Sequence, residues 1–379
     1  MTGTLEALLD ALVDPLRALG SFDERIGWPY LVGAAALASV VWFVRHRGRV
    51  SLERYLFAPS LWRHRSAWFD VRLLLVRAPL EALLFAPFLV SSVGLAAGTL
   101  AILTASMGAG PWPGAPAWLA AASATVSSFV AEDFSRYVVH WAAHRWAPLW
   151  ALHKVHHGAE VLTPLTVLRT HPLEALLVRT VSALAVGVSV GLCLWLFRRG
   201  VSVWQIGGVH ALAFVWNVAG ANLRHSHVWL SYGRRLEHVF ISPAQHQLHH
   251  SRDPAHRDRN FGAVFALWDW MFGTLLVAPP RRPPLRFGLQ SPEEGHDHRV
   301  RTALVRPLRE MGAALLGSIA TAFGGRRSAK RALRARSRAR YRVRARVGVR
   351  ERERDRVRVR VRDPARVGVR VGHRVRVRA

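Results

Sequence analysis

Apolar residues fall into two patterns along this chain, a short periodic one at the start and long unbroken runs after it. Leu5, Leu8, Leu9, Leu12, Val13, Leu16 and Leu19 recur three and four residues apart, with Glu6, Asp10 and Asp14 on another face. That spacing predicts an amphipathic helix within residues 1–27, either lying in a membrane interface or packed on the rest of the protein. Trp28 to Val44 is uncharged and long enough to span a bilayer, and it ends in Arg45, His46, Arg47 and Arg49, side chains suited to phospholipid head groups. Glu81 to Met107 and Ala115 to Val130 predict two further spans joined by the uncharged turn at 108–114. Leu176 to Phe197 and Val203 to Ala221 predict a second hairpin, turning at Arg198, Arg199 and Gly200 and interrupted by His210, Asn217 and Asn222. The expected fold is all-α: a polytopic membrane protein of transmembrane helical hairpins carrying a helical cap.

Charge gives this arrangement an orientation. The first loop, Arg45 to Arg77, contains eight arginines and two acids, so the positive-inside rule makes it cytoplasmic. Counting spans onward places 131–172 and everything after 222 on the same side; the Arg198–Arg199 pair opposes the rule, and a shallow hairpin there would remove the conflict. The formal net charge of +29 is mostly a tail, because residues 326–379 hold 23 Lys+Arg against 4 Asp+Glu. This Arg/Val-rich, low-complexity segment cannot bury a core. Three readings compete for it: a disordered tail held by anionic lipid, a nonspecific nucleic-acid binder, or an extension without function. Lipid contact or no function is preferred, because a membrane protein already sits beside phospholipid. Residues 28–325 remain as one membrane-embedded domain. Arginine outnumbers lysine 51 to 2, which points to a GC-biased genome and a bacterial cytoplasmic membrane.

Histidine is the unusual reagent. Cys193 is the only cysteine among 19 histidines, which excludes disulfide scaffolds, Cys-ligated zinc, iron–sulfur centres and CxxC redox pairs. Thirteen histidines lie between His140 and His250. His140 and His144 are four apart; His153, His156 and His157 form an HxxHH box, and His246, His249 and His250 repeat it. On helices these spacings put imidazoles on one face, a turn apart, where they can converge on a metal. Eight clustered imidazoles exceed the three or four that one zinc ion takes, so two ions are implied. The nearby carboxylates Glu132, Asp133, Glu160, Glu174 and Glu237 lack the Glu-x-x-His spacing of carboxylate di-iron bundles. An all-nitrogen shell suits Fe, Zn, Cu or Ni, and neither box reads HExxH.

Four segments together resemble the fatty acid hydroxylase / sterol desaturase superfamily of membrane di-iron oxygenases. They are EDFSRYVVHWAAHRWAPLWALHKVHHGAEVLTPLTVLRTHPLE, NLRHSHVWLSYG, FISPAQHQLHH and NFGAVFALWDWMFGT, running from about Glu132 to Thr274. The resemblance implies two non-haem irons held by His140, His144, His153, His156, His157, His246, His249 and His250, with a further contribution from the segment after the last span. His225 matches that contributor; His227, where relatives commonly carry Asn, is either an extra ligand or a polar stand-in. His171, His238 and Asp269 are candidates for supporting the ligands from behind, with a helix cap as the plainer role of His171 and a turn-fixing role for Asp269. A structural hydrogen bond is expected of His210, and His46, His64, His256, His296, His298 and His373 are read as solvated bystanders. Trp141, Trp146, Trp150, Trp268 and Trp270 cluster around the boxes as interface anchors or pocket walls. The implied activity is hydroxylation or desaturation of a C–H bond in a lipid drawn from the bilayer, with dioxygen as co-substrate. No GxGxxG after a strand and no haem CxxCH occurs, so an external electron-transfer protein or reductase is implied. The same imidazoles also fit a non-redox zinc hydrolase, a histidine-rich metal carrier or, more weakly, bis-histidine haem.

Overall fold

Proline just inside a helix start fixes φ where the missing N–H costs nothing, and this chain uses the device repeatedly. It opens Trp28–Arg45 (α1), Pro59–Trp62 (α3), Ala147–His157 (α7), Pro172–Phe197 (α8) and Pro243–His249 (α10). The remaining helices are Leu52–Leu56 (α2), Arg65–Leu84 (α4), Ser92–Met107 (α5), Ala117–Arg145 (α6), Ala211–Val218 (α9), Leu267–Met271 (α11) and Val300–Phe323 (α12). Among the described residues the strands are Gln205–Ile206 (β1) and Val209–His210 (β2), an antiparallel pair with Gln205 opposite His210. The mostly helical expectation holds. The computed structural model describes residues 20, 26–84, 89–206, 208–289 and 298–323. Apart from Gly20, Ile26 and Gly27, the expected N-terminal amphipathic helix lies outside them, as do the Arg/Val tail, His296 and His373. Residues up to Ala314 form one unit, to which every contact below belongs; the described part of the second, Leu315–Ala379, is the end of α12.

Among the described residues two helices, α1 and α8, are long and apolar enough to cross a membrane, and α5 is apolar but shorter. Their outward faces stay uncovered: Val32, Val40 and Val44 on α1, Val93 and Ile102 on α5, and Leu184 and Val188 on α8 are exposed. Close approach joins α5 and α8. A Cβ on Gly187 would lie 2.5 Å from the Leu95 Cβ, and one on Gly191 2.6 Å from the Ala96 carbonyl oxygen. These two small residues, four apart, let the backbones meet as in other small-xxx-small helix pairs. Cys193 and Phe197 of α8 pack on Ala120 and Ala124 of α6.

Two expected spans are corrected. The run from Glu81 to Met107 is not one helix: α4 ends at Leu84, and α5 starts afresh at Ser92, capped by the Ser91 hydroxyl accepting from the Gly94 N–H. Glu81 belongs to the first of these, bound to Arg77 of α4 and Arg179 of α8. The run from Val203 to Ala221 contains β1, β2 and the eight-residue α9, a helix of about 12 Å that cannot cross about 30 Å of hydrocarbon. The segment packs on protein along one side and leaves Trp204, Ile206 and Val215 exposed. Trp204 donates its N–H to the Thr125 hydroxyl of α6, and Phe214 meets Tyr30 of α1. His210 bonds through Nε2 to the Thr125 carbonyl (3.1 Å) and stacks on Phe129, a structural role as expected.

The span placed at Ala115 to Val130 is the first half of α6, which runs for 29 residues without a break and ends among the histidine boxes. The C-terminal ends of α1 and α6 and the N-terminal end of α8 all meet there: Arg45 donates to the Trp229 carbonyl, and Glu174 reaches His153.

Candidate metal centre

Nine histidines converge from four segments. His140 and His144 project from the last turns of α6; His153, His156 and His157 from α7; His225 from the 3₁₀ turn Ala221–His225; and His246, His249 and His250 from α10 and its C-terminal cap. The i, i+3, i+4 spacing does what it predicts, and adds a division. His140, His144, His153, His157 and His249 form one group, and His156, His225, His246 and His250 the other, with the ligand atoms of each group within 4.8 Å of one another. Each HxxHH box therefore sends residues to both groups.

Hydrogen bonds from behind aim these rings. His140 Nδ1 donates to the Phe261 carbonyl (2.8 Å), His249 Nδ1 to the Arg259 carbonyl (2.8 Å), His156 Nδ1 to the Arg169 carbonyl (3.3 Å) and His153 Nδ1 to the Glu174 carboxylate (2.6 Å). His144 Nδ1 faces Asp258 at 3.4 Å. A ring that donates from Nδ1 presents a lone pair at Nε2, and those lone pairs point inward. In the first group His157 Nε2 lies 3.1 Å from the Nε2 atoms of His144, His153 and His249. In the second, His225 Nε2 lies 3.0 to 3.2 Å from those of His246, His156 and His250. One imidazole N–H satisfies one lone pair, so protons are too few for the acceptors that converge, and the buried His140 Nε2 has no hydrogen-bond partner. Burial, reinforced by neighbouring imidazoles, holds His157, His246 and His250 well below the ordinary 6.5, and His156 and His249 fall to about 3. Neutral imidazoles with facing lone pairs are what a pair of metal cations requires.

Several residues that the histidine spacing does not single out hold this arrangement. Arg169, fully buried, donates to the carbonyls of Val155 and Gly158 and pairs with Asp70 at 2.9 Å, tying the end of α7 to α4. Asp133 of α6 accepts from the Val264 and Phe265 N–H groups and the Trp268 indole. Glu237 accepts from Ser231, Tyr232, Ser242 and Ala278, and Ser242 caps α10 through a box with Gln245. Of these partners Glu174 had a visible signal, the HPLE sequence at a helix start; the others are apparent only in three dimensions.

The remaining candidates separate. His227, expected as a possible tenth ligand, is a correction: its ring sits edge-on to Tyr55 at 4.9 Å and lines an apolar cavity of about 350 Å³ between α1 and residues 223–228. His171 caps α8, accepting from the Leu173 N–H while Nε2 donates to the Leu304 carbonyl. His238 is bonded to the Arg234 carbonyl, beside Trp270, away from both groups. Asp269 accepts from the Phe261 and Gly262 N–H groups and from Thr274, fixing the turn whose Phe261 carbonyl holds His140. His298, read as a solvated bystander, is buried, 3.4 Å from Glu160. Trp141, Trp146 and Trp270 are exposed, whereas Trp150 stands against His144 and His157 at 5.2 and 5.5 Å.

Two openings differ in character. A polar cavity of about 270 Å³ has His144, His157, His249 and His250 in its wall. A shallow apolar groove of about 720 Å³ runs along α6 from Ala122 to Phe134, closed at one end by Trp268, Met271 and Phe272.

Residues 125–274 match the profile of the family described as fatty acid hydroxylase, nearly the interval over which the sequence showed that resemblance. Alkylglycerol monooxygenase of Caenorhabditis elegans is 28% identical over 162 residues, 43% of this chain and 28% of that protein. The Homo sapiens protein of the same name is 28% identical over 164 residues, 43% of this chain and 32% of its own length. Ornithine lipid hydroxylase OlsE of Rhizobium tropici is 29% identical over 164 residues, 43% of this chain and 45% of that protein. The chain thus spans less than half the length of each of these relatives, and no solved structure matches it. All nine converging histidines lie inside residues 125–274, the interval that matches the fatty acid hydroxylase profile.

Proposed function

We propose that this protein is a membrane-embedded, non-haem di-iron oxygenase that hydroxylates a C–H bond of a lipid. The observation that carries the reading is the division of nine inward-facing imidazoles, seven of them on buried residues, into two adjacent groups. One group would place five nitrogens around the first ion, and the other four around the second. Bound iron would supply the power to activate dioxygen against an unactivated C–H bond, which no side chain supplies. The named relatives, a monooxygenase and a lipid hydroxylase, support oxygen chemistry on a lipid.

The chain's own residues bind, aim and enclose. Glu174 and the carbonyls of Phe261, Arg169 and Arg259 take the Nδ1 protons and so hold each ring in the tautomer that faces inward. Burial keeps the imidazoles neutral, so protons do not compete with metal near neutral pH. The uncovered apolar faces of α1, α5 and α8 support a bilayer setting, in which lipid would reach the protein along apolar walls such as the groove on α6. The arginine-rich segment Arg45 to Arg77 begins at the same end of the molecule as the histidines, and by the positive-inside rule both would face the cytoplasm. The tail from 326 onward takes no part in the chemistry.

Purified protein is expected to hold about two irons per chain, as two coordination groups imply, and to lose activity without dioxygen or with zinc in place of iron. Full activity with zinc under anaerobic conditions would defeat the reading.

A further inference from the structure

The polar cavity is the described opening whose wall includes the inward-facing histidines, and its rim is basic. Arg145 and Arg257 are exposed at its edge, Arg252 lines it, and the one acid among its lining residues, Asp258, faces His144 at 3.4 Å. Trp150 forms its inner wall, in ring contact with both His144 and His157. A ligand reaching this mouth therefore meets net positive charge and, one aromatic ring deeper, the first histidine group.

On the membrane-embedded reading above, with α6 crossing the bilayer, the mouth would also face water. Arg145 ends α6, 28 positions after Ala117, or about 42 Å at 1.5 Å per residue. A hydrocarbon core of about 30 Å entered at Ala117 would be left behind roughly 12 Å before Arg145. The apolar groove, by contrast, lies on Ala122 to Phe134 of the same helix. A partner reaching the mouth would come from the aqueous phase, and negative charge on it would complement the basic rim.

From these observations, and resting on the oxygenase reading above, we propose that the rim formed by Arg145, Arg252 and Arg257 is the docking site of an acidic one-electron carrier protein. Hydroxylation converts R–H and O₂ into R–OH and water only when two electrons and two protons are added. The carrier would be oxidised by one electron at each of two dockings, and water would supply the protons. Complementary charge accelerates such encounters and makes them salt-sensitive. Trp150 places the docked carrier within one ring of the histidines that would hold the first ion.

The test uses the full-length protein in nanodiscs of neutral phosphatidylcholine, with an acidic plant-type two-iron ferredoxin as probe. Its dissociation constant is measured at low and high salt, on metal-free and metal-loaded protein. The double variant Arg145→Glu/Arg257→Glu is expected to weaken binding about tenfold or more at low salt and to flatten the salt dependence, with metal content unchanged. The matched control Arg47→Glu/Arg49→Glu, which changes net charge equally at exposed sites elsewhere, should bind as the parent does. Unchanged affinity in the rim variant, or an equal loss in the control, overturns the proposal. Because binding is also read without metal, a failure of the iron reading would leave this result standing or falling by itself.

Discussion

A carboxylate that takes the Nδ1 proton of an imidazole fixes its tautomer and raises its basicity as a ligand, and Glu174 stands 2.6 Å from His153 in that relation. Glu174→Gln is expected to lower metal affinity about 10–100-fold while the fold persists; unchanged affinity in a metal titration would show that the pair does not support the site. His227→Ala should leave metal content as it is, since that ring packs on Tyr55, whereas His249→Ala should deplete it. The histidine boxes were legible because i, i+3, i+4 spacing is a property of local geometry. Glu174 was noticed and given no role, because it meets His153 from another helix, 21 positions away, and spacing rules reach only across a turn. His225 was favoured in the sequence and His227 left open; their contacts separate them, His225 with His156, His246 and His250 and His227 with Tyr55.

Hydrophobicity and helicity part company in α6 and in the segment after α8. The apolar run stops at Val130, but the helix continues to Arg145, because backbone hydrogen bonding does not end where burial changes. That continuity carries His140 and His144 on the same rigid rod as the apolar helix face. The run from Val203 to Ala221 is apolar without being a span: it touches α1 and α6 on one side and leaves Trp204, Ile206 and Val215 exposed on the other. Hydropathy alone does not distinguish lipid from protein as the covering surface. The pairing of α5 with α8 rests on Gly187 and Gly191, where added side chains meet backbone rather than open space. Gly191→Leu should destabilise the protein by about 1–3 kcal/mol or more, the range for overpacking, seen as an earlier thermal transition in detergent. An unchanged transition would mean that the two helices do not approach as closely as described.

At the scale of the molecule, apolar helix ends converge on a buried cluster of neutral imidazoles, and that burial has a pH cost with a definite sign. Below about 6.5 the histidines of an unfolded chain take up protons. In the folded chain His156 and His249 stay neutral down to about 3, because burial disfavours their charged forms. The unfolded state therefore binds more protons between those values, and stability falls as the pH falls, by about 1.4 kcal/mol per pH unit for each such group. Metal-free protein should melt earlier at about pH 5 than at about pH 7; an equal or higher transition at the lower pH would contradict the burial of these rings as neutral groups.

The most direct measurement of the central claim is the fate of oxygen. Membranes containing the protein are incubated with isotopically labelled dioxygen, an electron supply and bilayer lipid, and the lipids are analysed by mass. One labelled oxygen atom in a lipid hydroxyl, absent when His250→Ala replaces the parent chain, is the predicted result. Lipid product formed in the absence of dioxygen, or carrying oxygen from water alone, would contradict the assignment.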